Sequence, residues 1–293
     1  MTNKGLIVKS NSGFYYVKCD DDIVECHARG IFRKEHQSPL VGDRVMISLD
    51  GGTGTIEEIL PRKNCLVRPP IANIDMLVIV VSTIQPVPNL LIIDRLIVTA
   101  EQKDIEPVVV ISKGDLSDSD ALCAIYKKAG ITSFTASGVT GDGIEELGKL
   151  INGRIGAFTG NSGVGKSTIL NRLDPTLTLS TGEISHKLGR GRHTTRIVEL
   201  FCTCGGYIAD TPGFSSLDTG RVDPIRKEDM QFVFREFAPY IDHCQYTGCS
   251  HTKEKGCAVL EAVQNGEIAA SRHRSYCAMY EEAKGIKEWE LKK

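Results

Sequence analysis

The chain has 293 residues, a formal charge of -2, 41% hydrophobic and 25% charged residues. At roughly 150 residues per domain, that length suits about two ordinary domains, or one domain with smaller attachments. The composition excludes a mainly disordered, fibrous or low-complexity chain, and the near-neutral total excludes a uniformly basic nucleic-acid binder while leaving room for local basic stripes.

The opening residues, Met1 to Ser10, contain no long apolar region, and the most hydrophobic run, Met76 to Val81, is far too short to span a bilayer. The expected location is therefore the cytoplasm, with no membrane partner. Ten cysteines in a chain that is neither short nor led by a signal peptide point to reduced thiols, some of them metal ligands, rather than a disulfide scaffold.

Up to about Asn64 the sequence reads as short alternating segments: Leu6 to Val8, Phe14 to Lys18, Ile23 to Ala28, Arg44 to Leu49 and Gly54 to Ile59. Gly and Asp turns separate them, with no helix between, so a small β-barrel is expected. Strand count leaves an OB-fold and an SH3-like barrel both open. From Ile74 the rhythm changes to buried strand then helix: strands at Asp75 to Val81, Pro107 to Ser112, Ile131 to Thr135 and Arg154 to Thr159, helices at Leu90 to Gln102, Ser119 to Ala129 and Ile144 to Ile151. Continuous apolar strands such as Val108-Val109-Val110-Ile111 belong to a parallel sheet covered on both faces, so a doubly wound α/β domain is expected. It continues through a helix at Lys166 to Leu173 and strands at Thr195 to Phe201 and Tyr207 to Asp210. Beyond about Asp218, the stretches Phe232 to Phe237 and Glu261 to Lys284 read as a small helical region organised around cysteines. The expected domains are 1–67, 68–217 and 218–293.

Gly160-Asn161-Ser162-Gly163-Val164-Gly165-Lys166-Ser167-Thr168 follows an apolar strand and opens a helix, the context that a P-loop requires. Its glycines let backbone N–H groups face phosphates, Lys166 supplies charge to the β- and γ-phosphates, and the Ser167 hydroxyl suits Mg²⁺. Asp210-Thr211-Pro212-Gly213 ends a later strand, so Asp210 can reach the same Mg²⁺ and the Gly213 N–H can sense a γ-phosphate; alone, this pattern is more often an ordinary turn. At another strand end, Ser112-Lys113-Gly114-Asp115 offers a carboxylate that can accept from guanine N1 and N2, donors that adenine lacks, while the Lys113 stem lies along the base. Ala136 and Ser137 end the next strand, where the Ala136 N–H can meet guanine O6.

These motifs occur in rotated order, with the base-reading elements ahead of the P-loop. The chain resembles the circularly permuted, small-ribosomal-subunit-dependent GTPases (the RsgA/YjeQ type) of 30S biogenesis. The likeness also covers Pro69 to Asp75 at the domain junction and Gly189-Arg190-Gly191-Arg192-His193-Thr194-Thr195 in the expected switch I. It implies GTP and GDP as ligands, Mg²⁺ held by Ser167, Thr195 and Asp210, and hydrolysis of GTP during late assembly of the small (30S) subunit, with that subunit and its rRNA as partners. Nothing in the sequence calls for an obligate oligomer.

Two positions depart from the usual GTPase pattern. Ser112 stands where most GTPases carry an asparagine that ties the base loop to the P-loop, which bears on nucleotide affinity more than on guanine preference. Phe214 follows Gly213 where Ras-like enzymes place a water-orienting glutamine, so intrinsic hydrolysis is expected to be slow. His193 is a candidate for orienting that water; contact with RNA is the other reading. The rivals are a GTP-regulated RNA-binding module with negligible hydrolysis and an unrelated P-loop ATPase or kinase.

Cys244-x4-Cys249-x-His251-x5-Cys257 collects three thiols and an imidazole, the donor set of a closed tetrahedral zinc site. Spacing alone leaves scattered free thiols open, and Cys277 is a rival ligand. The resemblance implies one structural Zn²⁺ on Cys244, Cys249, His251 and Cys257. Cys202 and Cys204 read as strand residues, and Cys19, Cys26, Cys65 and Cys123 as small core residues. Lys187, Arg190, Arg192 and Arg196, together with Arg272-His273-Arg274, are candidate RNA-facing clusters.

Overall fold

A computed structural model describes residues 2–34, 37–67, 69–177, 179, 198–210 and 224–286. The first region contains β1 (Thr2–Asn11), β2 (Phe14–Cys19), β3 (Asp22–Ala28), β4 (Arg44–Asp50) and β5 (Thr53–Ile59). They run in the order β1-β2-β3-β5-β4, and β4 pairs again with β1, closing a barrel. Four of the pairings are antiparallel and β3 runs parallel to β5, Cys26 opposite Gly54, wiring that decides for the OB-fold. β1 serves two barrel neighbours because it bends: Leu6 pairs with Arg44 on one side and Lys18 on the other, and the ladder slips between Ile7 and Lys9. At the bend, a Cβ on Gly5 would stand 2.3 Å from Val17 Cγ1, so only glycine lets the strands pass so closely. Ile7, Val17, Cys26, Val45, Ile47 and Ile56 alternate inward and fill the barrel.

One helical turn, α1 (Ile31–Lys34), lies between β3 and β4; four residues are too few to display a helical period, so the sequence pattern misses it. A short hairpin of β6 (Cys65–Val67) and β7 (Pro70–Ala72) then leads out of the barrel. The junction is closed by side-chain to backbone bonds. Asn64 exchanges two 2.8 Å bonds with the backbone of Ile74, and Asn73 accepts from Lys63 N and donates to Gly42 O at 2.9 Å each. Arg62 grips the fully buried Asp43 at 2.6 and 2.7 Å.

The α/β region comprises β8 (Met76–Ser82), α2 (Leu90–Glu101), β9 (Glu106–Ser112), α3 (Asp120–Lys128), β10 (Thr132–Ala136), α4 (Ile144–Ile151), β11 (Ile155–Thr159), α5 (Lys166–Leu173), β12 (Val198–Thr203) and β13 (Gly206–Asp210). Its strands lie in the order β10-β9-β8-β11-β13-β12, parallel except for β12. Every residue of β8 is buried, and period-2 alternation sorts them. Leu77, Ile79 and Val81 join the core under α2 and α3, while Met76, Val78 and Val80 join the core under α4 and α5. β12 also pairs with β1, Lys9 opposite Glu199 with their side chains 2.9 Å apart, so barrel and α/β region share one 11-stranded sheet.

The C-terminal region is built from 3-10 turns at Met230–Val233, Arg235–Phe237 and Ile241–His243, then α6 (Ala258–Gln264) and α7 (Ala270–Ala283). Within the helical stretch read over Glu261 to Lys284, Gly266 takes a left-handed φ of +74° and ends α6. Phe234, Phe237 and Tyr276 anchor this region's core. Cys19, Cys26 and Cys123 are buried as expected, Cys65 is only half-buried beside the junction hairpin, and Cys202 and Cys204 are exposed. Among the described residues, no helix is long and apolar enough to cross a membrane.

Candidate functional site

The phosphate loop begins where β11, buried throughout, runs out at Thr159. Gly163 and Gly165 adopt φ of +81° and +92°, conformations that side-chain-bearing residues rarely take, and Gly165 caps α5. The loop thereby turns back over its own helix, presenting the first-turn N–H groups of α5 at a site suited to anions. Ser162 and Gly163 are exposed, and Lys166, Ser167 and Thr168 are half-buried at the helix start. Asp210 ends β13 in register with Phe158 on β11, two residues before Gly160. His193, Thr195, Gly213 and Phe214 lie outside the described residues, as do Lys187, Arg190, Arg192 and Arg196.

The base-reading loops sit at the same end of the sheet, since β9 and β10 finish with Ser112 opposite Ala136. Ser112 is buried, and its hydroxyl faces Val81 O at 2.8 Å and the P-loop carbonyl of Val164 more closely. The tie normally made by asparagine is therefore present, though one hydroxyl proton is shared between two acceptors. Lys113 turns through φ +60° and donates from Nζ to Gln85 O at 2.6 Å, which holds its stem across the loop. Asp115 is exposed, with one carboxylate oxygen accepting from Ser137 Oγ at 2.9 Å. Ser137 is buried and in turn accepts from the N–H groups of Val139 and Thr140 at 3.2 Å. Gly138 closes the arrangement: a Cβ there would stand 2.6 Å from the Thr168 carbonyl carbon, so the base loop rests directly on the P-loop helix. A carboxylate for paired donors, a lysine stem and a glycine-lined N–H cradle are complementary to a guanine nucleotide.

The second cluster brings Cys244, Cys249, His251 and Cys257 together, with all four donor atoms within 4.8 Å of one another. Cys244 and Cys257 Sγ are 3.8 Å apart, and a tetrahedron with Zn–S bonds of about 2.3 Å has edges of about 3.8 Å. His251 turns Nδ1 to these sulfurs at 3.4 and 3.5 Å and gives Nε2 to Gln231 Oε1 at 2.8 Å, an arrangement that leaves Nδ1 as the ligand atom. Burial holds the His251 pKa below its ordinary value and pushes the Cys249 thiol up to about 12. Metal binding must therefore expel thiol protons but none from the histidine. Glu254 shapes the loop. Burial opposes its charge, yet hydrogen bonds from the Ser250 hydroxyl and from the N–H groups of Lys253 and Ser250 bring its pKa down to about 2. Cys277 faces His273 at 3.6 Å and is not among the four. The donor set fits one structural Zn²⁺ with no open coordination position.

Residues 59–220 match the family model of the RsgA GTPase, and residues 4–56 that of the RsgA N-terminal domain. The chain belongs to the RsgA GTPase family. Among RsgA relatives, the small ribosomal subunit biogenesis GTPase of Caldanaerobacter subterraneus is 46% identical over 286 residues, covering 96% of both chains. That of Geobacillus thermodenitrificans is 44% identical, covering 96% of this chain and 97% of its own. Two solved RsgA-like structures superpose on it. YjeQ from Thermotoga maritima does so with a TM-score of 0.82 at 35% identity, covering 98% of this chain and 100% of its own. YloQ, a circularly permuted GTPase, does so with a TM-score of 0.79 at 36% identity, covering 98% and 96%. The expected family, the barrel and permuted α/β architecture, and GTP or GDP, Mg²⁺ and one structural Zn²⁺ as cofactors agree with these findings.

One expectation fails. Arg272-His273-Arg274 is not a basic surface. Arg272 is fully buried, 2.8 Å from Asp94 and 2.7 and 3.1 Å from Glu236, and His273 donates to His251 O at 2.7 Å. Only Arg274 is exposed. The partners of Arg272 lie 36 and 178 positions away in sequence, so no local pattern announces the pairing. Gln231 and the Gln85 carbonyl were missed for the same reason.

Proposed function

We propose that this chain hydrolyses GTP to GDP and phosphate and uses the nucleotide state to bind and leave the small ribosomal subunit during its maturation, in the cytoplasm. The observation that carries the reading is the convergence of the Gly160 to Ser167 cradle and the Asp115 loop at one end of a parallel sheet, joined by Ser112 and Gly138. The names of the RsgA relatives support the ribosomal partner.

The proposed roles follow from the chemistry. Asp115, held by Ser137, selects guanine, with Lys113, Ser112 and Ala136 around the base. Lys166 and the N–H groups from Gly160 to Thr168 hold the phosphates. Ser167, Thr195 and Asp210 hold Mg²⁺, which when bound neutralises charge on the β- and γ-phosphate oxygens. Water forms a bond to the γ-phosphorus while the bond to the β–γ bridging oxygen breaks. We place His193 beside that water, and Gly213 where it senses the γ-phosphate. The zinc set closes the C-terminal region without entering the reaction. Domain limits of 1–67, 68–217 and 218–293 suit this division of labour.

The test is phosphate release from GTP, with ATP as control, with and without isolated small ribosomal subunits. Selective GTP turnover stimulated by the subunit is the expected result. GTP binding with no turnover under either condition would instead favour a nucleotide-regulated RNA-binding module.

A further inference from the structure

Helix α2 has two working stripes. Asn89 at its cap, with Ile92, Ile93 and Leu96, lines a cavity that is also lined by Gly160, Asn161 and Val164 of the phosphate loop. The other stripe, at positions 91, 94, 95, 98 and 101, follows the i, i+3, i+4, i+7 spacing of one helical face. All of it is engaged with the metal-bearing region. Leu91 and Val98 pack into the core of Phe234, Phe237 and Tyr276. Asp94 pairs with Arg272, Arg95 with Glu282, and Glu101 with Arg235.

Arg272 is the centre of this contact. Its guanidinium spans Asp94 on α2 and Glu236 on the 3-10 turn and lies over the Phe234 ring at 4.7 Å, with no exposure to solvent. No water can replace these bonds when one partner is lost, so the buried arrangement holds α2 in one place. Because a packed helix does not move on one face without repacking the other, the same contact sets the wall of the phosphate loop.

We infer that α2 couples the metal-bearing region to the nucleotide site, and that Arg272 is a positioning residue for nucleotide binding. This deepens the GTPase reading and rests on it. Coupling between sites is reciprocal, so nucleotide must also tighten the docking of α7.

The experiment uses the full, zinc-loaded chain. Amide hydrogen exchange is followed with and without GDP, and GDP affinity and GTP turnover are compared for the unaltered chain, Arg272→Met and Asp94→Asn. GDP is expected to slow exchange in α5, which it touches, and also in α7, which it does not. Arg272→Met is expected to weaken GDP binding about 10-fold, within the usual span of coupling between sites, and to raise KM for GTP while leaving kcat within about 2-fold. It should still hold one zinc per chain but lose the slowing in α7. Asp94→Asn keeps the Glu236 pair, so it folds even where Arg272→Met does not, and should show a smaller loss of affinity. Slowing in α5 without slowing in α7, together with unaltered GDP affinity in Asp94→Asn, overturns the inference. No slowing even in α5 of the unaltered chain overturns the GTPase reading itself.

Discussion

Replacing Ser112 by alanine removes a side-chain bond that joins the base loop to the P-loop while leaving Asp115 and its Ser137 support untouched. The hydroxyl carries one proton shared by two carbonyls, so the loss amounts to one net hydrogen bond, about 1 kcal/mol, plus part of the cost of a buried carbonyl left short of a donor. A total of about 2 kcal/mol is expected. The bond is present in the folded chain without nucleotide, so about half of this cost falls on stability. For a protein of this size, about 1 kcal/mol lowers Tm by about 2 °C. The remainder appears in binding, since GDP must then align two loops that are no longer tied, and a share of about 1 kcal/mol weakens affinity about 5-fold. The assay pairs thermal unfolding with titration of fluorescent GDP, and repeats the titration with competing ATP. An unchanged Tm and affinity would refute the argument that the hydroxyl replaces the usual asparagine. Loss of the preference for GTP over ATP would refute the assignment of base selection to Asp115 alone.

Asp115→Asn substitutes an amide donor for one of the two acceptors that meet guanine N1 and N2. Guanine nucleotide affinity should fall by at least about 100-fold, from loss of charge-assisted bonds worth about 1.5–3 kcal/mol each, while xanthosine triphosphate, with a carbonyl at C2, gains; competition binding measures both. Zinc binding at pH 7 should release at least two protons per ion, because burial keeps the Cys249 and Cys257 thiols protonated and His251 already neutral. Apparent zinc affinity should therefore rise with pH, by at least about 100-fold per unit below the thiol range, as read by calorimetry in buffers of different ionisation enthalpy. Gln231→Ala removes the acceptor on His251 Nε2 and should weaken zinc binding about 10–100-fold in chelator competition, with guanine nucleotide selectivity unchanged.

Much of the nucleotide site is legible in the linear order because its parts are local. A P-loop needs a strand, here ending at Thr159, followed by a glycine turn and a helix start within the nine residues from Gly160 to Thr168, and each has its own signal. The zinc set is compact for the same reason, spanning Cys244 to Cys257. The continuous apolar runs of β8 and β9 establish a sheet covered on both faces, and the rotated motif order marks the permutation before any coordinates are drawn.

What depends on distance in sequence came only with the tertiary structure. Strand counting cannot say whether five short strands close as an OB-fold, because that is decided by β4 returning to β1 and by the parallel β3–β5 pair. The identity of Ser112 suggests a missing tie, yet the approach of Val164 O restores it, since a short hydroxyl suffices where two backbones lie close. Arg272 shows the contrast most sharply. Beside His273 and Arg274 it reads as solvated positive surface, but two carboxylates and an aromatic face from other elements meet it in the interior, and buried charge is stable there because its partners are also buried.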